Sequence, residues 1–392
     1  MNFRPILAAA LALLASLSPA VAADPVLSNL TAAQRPGTKL VDIRYDVAAD
    51  TPTVKVTLEI SSDGGTTYSV PVTSATGAVG DGVPVGMGKT ITWDAGVDWD
   101  GKFTFQTRYR VVAEDIHPGF SIIPAGSFTM GRTSDDTDTD APPVKVTLSA
   151  FHMGRHEVTK ALWDEVRNSA LANGYTDLAT GAGKAANHPV QTVSWWDVIK
   201  WCNARSQMEG LTPCYTVSGS VMKNGTAAPM VNWSSNGYRL PTEAEWEKAA
   251  RGGLTGKRFP WDTDKISQSN ANYYASTTYI YDSSGSANNY HPTYATGWKP
   301  YTSPVGSFAA NGYGLNDMAG NVDEWCWDFY ERSTYVNRAT DPRGPASGER
   351  RVHRGGSWAF AAAYCTVADR GTHHPASSYN FIGFRVARSS VP

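Results

Sequence analysis

The chain has 392 residues, enough for more than one domain. A formal charge of −2 with only 18% charged residues excludes the basic footprint of a nucleic-acid binder. The 36 Gly, 13 Trp and 18 Tyr suit a loop-rich globular fold and exclude a disordered or coiled-coil chain. At the N-terminus, Arg4, the apolar run from Ile6 to Leu17 and the small-x-small triplet Ala20-Val21-Ala22 predict an export signal over residues 1–22. The mature chain is then expected in the periplasm, at the cell surface or in the medium. The run is short for a bilayer and no later stretch is long and apolar enough, so no membrane span is expected after cleavage.

Residues 24–115 alternate apolar with polar side chains in Lys39–Val47, Thr53–Ile60 and Phe103–Val111. Asp63-Gly64-Gly65 and Asp81-Gly82 are turn signals between such runs. The pattern predicts a small all-β sandwich and resembles immunoglobulin or fibronectin modules. With no Cys or His, it reads as a spacer or adhesion module. Past His117-Pro118-Gly119 the pattern changes, and this part holds 11 of the 13 Trp. Helices are expected over Lys160–Val166, from Ser194 with Asp197 three residues on, and from Thr242 with Glu245 three on, the last running to Gly252-Gly253. The remainder reads as turns and short strands.

Four cysteines, Cys202, Cys214, Cys326 and Cys365, lie in this second part. In an oxidising compartment an even number favours disulfides, and four allow three connectivities. Spacing pairs Cys202 with Cys214 and Cys326 with Cys365. Eight His are scattered; His152 and His156 share a strand face without forming a metal-ligand motif.

Several blocks follow one another in a recognisable order: Ile123–Gly131, Phe151–Thr159, Pro189–Trp195, Tyr238–Glu247, Pro304–Phe308, Asn311–Trp325, Arg354-Gly-Gly-Ser-Trp358 and Gly383-Phe-Arg385. Together, over about residues 120–388, they resemble the formylglycine-generating enzyme / sulfatase-modifying factor family. The resemblance implies an α+β fold, an irregular C-type-lectin-related domain over 120–392 preceded by the sandwich. Family members include a copper-dependent oxidase that converts a sulfatase cysteine to formylglycine, iron-dependent sulfur-transfer enzymes, siderophore-maturation proteins and non-catalytic binding domains. Function therefore has to be read from the site.

The family's oxidase holds Cu(I) between two thiolates five residues apart, a pairing that suits a soft ion. Counted from Gly355, those positions are Phe360 and Cys365 here, so one sulfur is replaced by a ring. Catalysis through Cys365 would need Cys326 as a second donor. The iron-dependent relatives carry a His-rich N-terminal site, whereas no His precedes His117. The family's calcium loop carries over to Asn321, Val322, Glu324 and Cys326, with side-chain oxygens from the Asn and the Glu and nearby carbonyls fitting a hard cation. A second calcium loop would start at Asn272 and Tyr273, but Asp282 is not at the spacing its acid needs. The segment corresponding to the ligand surface of lectin-like relatives offers Phe360, Tyr364, His373, His374, Tyr379 and Phe381, an adaptable aromatic contact surface for a protein or glycan. The leading expectation is a non-oxidase binding domain; the alternative is a formylglycine-generating oxidase using Cys365.

Overall fold

The computed structural model describes residues 25–49, 53–102, 104–115, 119–133, 140–285, 289–332 and 340–389. The predicted export signal, Phe103 and the boundary at His117 lie outside them. Seven strands come first: β1 (Val26–Gln34), β2 (Leu40–Ala48), β3 (Thr53–Ser61), β4 (Thr76–Gly77), β5 (Gly80–Pro84), β6 (Gly86–Asp94) and β7 (Arg108–Asp115), with one helical turn, α1 (Ala95–Asp98), after β6. They form two antiparallel sheets, ordered β1-β2-β6-β4 and β5-β3-β7. Period-2 alternation turns Val41, Ile43, Tyr45 and Val47 of β2, and Val54, Val56, Leu58 and Ile60 of β3, into one shared core with Ile91 and Trp93. Each buried aliphatic side chain there contributes about 1.5–3 kcal/mol. β7 starts at Arg108, later than the alternation predicts. The hydroxyl of Thr104 donates to Ser62 O and accepts from Gln106 N, while Gln106 O accepts from Gly64 N. These local bonds take the backbone groups a ladder would need.

The second part begins with β8 (Phe120–Ile123), β9 (Gly126–Met130), β10 (Val144–Leu148) and β11 (Phe151–Gly154), then α2 (Lys160–Ala172) and α3 (Trp195–Met208). β12 (Tyr215–Val217), β13 (Ser220–Val221), β14 (Met230–Val231) and α4 (Glu243–Arg251) follow. The chain ends in β15 (Asp323–Phe329), β16 (Arg351–Arg354), β17 (Gly371–His373), β18 (Ile382–Gly383) and β19 (Ala387–Ser389). β19 returns to pair with β11, and β17-β16-β15-β18 form the sheet that carries the site.

All three expected helices form, two of them from the caps the sequence predicts. Thr159 caps α2; Ser194 with Asp197 and Thr242 with Glu245 close reciprocal capping boxes on α3 and α4. Gly252 ends α4 in the left-handed region at φ 57°. α2 runs past Val166 because Trp163, Val166 and Ala170 form one buried stripe. Every residue of α4 is buried, charges included. Its acids are satisfied by arginines: Glu243 by the distant Arg370 at 2.7 and 2.9 Å, and Glu245 by Arg239, just before the helix, at 2.6 and 2.7 Å. Glu247 takes both Arg251, at 2.7 Å, and Arg354. The acids can be buried to this degree only because each is paired with an arginine, and Lys248 because its ammonium donates to the carbonyls of Pro124 and Gly126.

Candidate functional site

The site-bearing segment runs from Ser357 along one 3-10 turn, Ala362–Cys365, through β17 to β18. It brings five of the six expected contact residues together. The Phe360 ring lies 5.3 Å from Tyr364 and 4.9 Å from Phe381; Phe381 stacks on Tyr379 at 5.0 Å; Tyr379 lies 4.6 Å from His373. Tyr364 and Tyr379 keep 48% and 39% of their surface exposed, so the cluster is a face and not a core. His374 departs from the expectation. It is exposed, makes no ring contact with the cluster, and its Nδ1 accepts from Ala376 N to close a turn.

Residues outside the expected set extend this face. Tyr274 N donates to Phe360 O, and Tyr274 leads through Tyr290 to Tyr301 and Trp358, with centroids 4.9 to 5.8 Å apart. The Lys299 ammonium lies over Tyr290 at 5.0 Å and bonds its hydroxyl at 3.0 Å. No motif block covered Tyr274, Tyr290, Lys299 or Tyr301; their only sequence signal is a density of Tyr. Beneath the face, His353 stacks on His373 at 4.9 Å. Its Nδ1 lies 3.1 Å from Asp323 Oδ1, but the angle is poor and neither ring nitrogen has an aligned partner. Burial, together with His353, holds the His373 pKa below its usual value.

The cysteines depart from the expected pairing. All four are buried free thiols and neither predicted disulfide forms. Cys202 and Cys214 share one core, unbridged, while Cys326 packs with Trp246 and Met318 and Cys365 with Phe259 and Tyr273 in separate cores. Spacing places residues along the chain, but a disulfide needs Cα atoms within a few ångströms of each other, which only the fold decides. Burial pushes the Cys365 thiol well above its ordinary pKa, and carboxylates led by Asp323 push it the same way. No second sulfur is therefore gathered beside Cys365, and the residues at the family's copper position do not fit a two-thiolate Cu(I) site.

Buried thiols have a measurable consequence. Burial raises Cys214 to about 11, and raises Cys202 well above its usual value with help from Cys214. An unfolded cysteine ionises near ~8.5. Between the two values the folded state binds more protons, so stability is full below about pH 8.5 and falls as pH rises toward 11. The expected loss from Cys214 is about 2–3 kcal/mol across the window. Urea titrations at pH 8 and pH 10.5 measure it, and Cys214→Ala should flatten the slope. An unchanged wild-type midpoint would remove the effect.

Three of the four expected calcium ligands, Glu324, Cys326 and Asn321, are already engaged. Both Glu324 oxygens accept from Arg385 at 2.6 Å, and Oε2 also accepts from Trp246 Nε1 at 2.6 Å. The Cys326 carbonyl accepts from Trp195 Nε1, and Asn321 Oδ1 accepts from Ser303 N. The oxygens left without donors sit next door. Glu157 Oε1 accepts from Asn321 Nδ2 at 3.0 Å while Oε2 has no partner; Asp317 Oδ2 accepts from Gly306 N while Oδ1 has none; Asn272 Oδ1 has none. Burial, with their mutual charge, pushes Glu157 well above the carboxylate range, and burial raises Asp317 to about 6. Asp282, the doubtful acid of the second loop, is used up by Tyr273 OH, Ser276 N and Ser284 N. Among the described residues no three His, Cys, Asp or Glu side chains form a metal-binding group. The sequence reading missed Asp317 and Glu157, although Asp317 lies four residues before Asn321 in the same loop.

Among the described residues no helix is long and apolar enough to cross a membrane. The family model for the sulfatase-modifying factor enzyme 1-like domain matches residues 109–390, so it begins within β7, upstream of the boundary expected at 120. The formylglycine-generating enzyme of Mus musculus is 34% identical over 296 residues, covering 69% of this chain and 75% of its own. That of Thermomonospora curvata is 33% identical over 310 residues, covering 70% and 94%. The structure of Treponema denticola variable protein 1 superposes with a TM-score of 0.54 at 32% identity, covering 69% and 94%. With that match in order, length and fold, the chain belongs to the sulfatase-modifying factor, or formylglycine-generating-enzyme-like, family.

Proposed function

We propose that this is an exported, non-oxidase member of the family whose aromatic face binds a protein or glycan ligand. The observation that carries the reading is Phe360. The first of the family's two sulfur positions holds a ring, and that ring is built into the face through Tyr364 and Phe381. Exposed aromatics with small polar neighbours give large contact area at low entropic cost. Export is supported by the leader-like residues 1–22. The test has two arms. Reduced mature protein should neither retain Cu(I) nor oxidise a cysteine-bearing peptide, and binding to a glycan array or to secreted-protein fractions should drop about tenfold or more in Tyr379→Ala. Stoichiometric copper with peptide turnover that Cys365→Ser abolishes would instead establish the oxidase.

Calcium belongs to the same reading as a structural ion, held by Asp317 and Glu157 beside Asn321. Support comes from two buried carboxylate oxygens lacking donors and from their hardness as ligands. A bound divalent cation would stabilise the fold by mass action. Adding calcium to chelator-treated protein should raise Tm by several degrees, and Asp317→Asn should abolish the rise. An identical Tm with and without calcium ends the assignment.

A further inference from the structure

A cavity lined by none of the aromatic-face residues lies between the end of β10, the start of α4 and the segment Asp341–Arg343. Its volume is about 150 Å3. A cavity of about that size is known to hold a benzene ring. Trp233 stands in its wall between two guanidinium groups, Arg343 at 4.4 Å and Arg239 at 5.2 Å from the ring centroid. Leu148 and Pro342 complete the apolar side.

The charged groups of the cavity are not equivalent. Arg239 is saturated: its fork is bidentate to Glu245 at 2.6 and 2.7 Å, and its Nε donates to Ser389 Oγ. That pairing also neutralises Glu245. Asp341 accepts from Ser149 N at 2.7 Å and from Ser149 Oγ at 2.8 Å. Arg343 alone keeps its donors open: among the described residues its guanidinium donates to no acceptor and forms no ion pair. Stacking on Trp233 holds the fork in place, so little side-chain entropy remains to be lost when an anion docks. Partial burial depresses the Arg343 pKa, while the nearby Asp341 carboxylate acts the other way.

We propose that this cavity binds a small organic carboxylate, with its charge on the Arg343 fork and its apolar body against Leu148, Pro342 and Trp233. The planar guanidinium matches a carboxylate through two parallel bonds, and the apolar wall favours a ligand with a hydrocarbon body over a bare inorganic anion. Neither the aromatic face nor the calcium assignment enters this inference.

The probe is benzoate, titrated calorimetrically into the full chain at fixed ionic strength, with benzamide as the neutral isostere. Benzoate should bind at one site, and benzamide about tenfold or more weaker. Arg343→Gln should weaken benzoate about tenfold or more. Arg343→Lys should restore only part of the loss, since it keeps the charge without the fork. Arg343 is exposed, so the thermal midpoint of these variants checks that folding is intact. The assignment fails if no heat is seen up to about 10 mM benzoate, if benzamide binds equally, or if Arg343→Gln binds as wild type. Loss of binding in Tyr379→Ala with Arg343→Gln unaffected would move the ligand to the aromatic face and overturn it equally.

Discussion

Glu324→Ala is expected to cost about 3–5 kcal/mol of stability, with or without calcium. The Glu324 carboxylate is fully buried, bidentate to the fully buried Arg385 and bonded to Trp246 Nε1. Removing it strands a guanidinium in the interior, and the cost is dominated by that uncompensated charge. Arg385 also donates to the carbonyls of Gly154, Arg155 and Asn316, so it pins β11 and the Asn311–Asn321 loop to β15. The change should therefore loosen the whole platform beneath the site. Urea denaturation gives the magnitude. A double variant, Glu324→Leu with Arg385→Met, should recover part of the loss, since replacing both charges removes the orphan. A loss below about 1 kcal/mol, or one that appears only when calcium is present, would make Glu324 a metal ligand and not a structural anion.

Phe360→Cys should create copper binding where the wild type has none. It returns a second sulfur to the position five residues before Cys365, and two thiolates suit Cu(I) where one does not. The reduced variant should retain about one Cu(I) per chain through competition with a soluble chelator, and the reduced wild type none. The same change removes the Phe360 contacts with Tyr364 and Phe381, so ligand binding at the aromatic face should weaken in parallel. Metal analysis after gel filtration reads the first effect. Stoichiometric copper on the wild type would refute the sulfur argument, and a copper-free variant would show that backbone position, not residue type, blocks the site.

How far the site could be read ahead depended on how local each signal was. The capping boxes at Ser194 and Thr242 each lie within four residues, and both helices begin where those residues place them. The aromatic segment was legible because Phe360, Tyr364, His373, Tyr379 and Phe381 fall within one stretch between two motif blocks. Lys299, Tyr290 and Tyr301 reach the same face from another loop, and nothing in their local sequence announces that approach.

Amino-acid order alone determined the family, the all-β first part, the three longer helices and the replacement of a sulfur by a ring at Phe360. These are patterns of short range or of motif order, and they survive without coordinates. Only the tertiary structure decided what the cysteines and acids do. It put Cys326 and Cys365 into separate cores, gave Glu324 to Arg385, left Asp317 and Glu157 with open oxygens, and set Arg343 over Trp233. The reason is physical: whether a polar or soft group binds a ligand depends on which distant partners already satisfy it, and those partners meet only when the chain has folded.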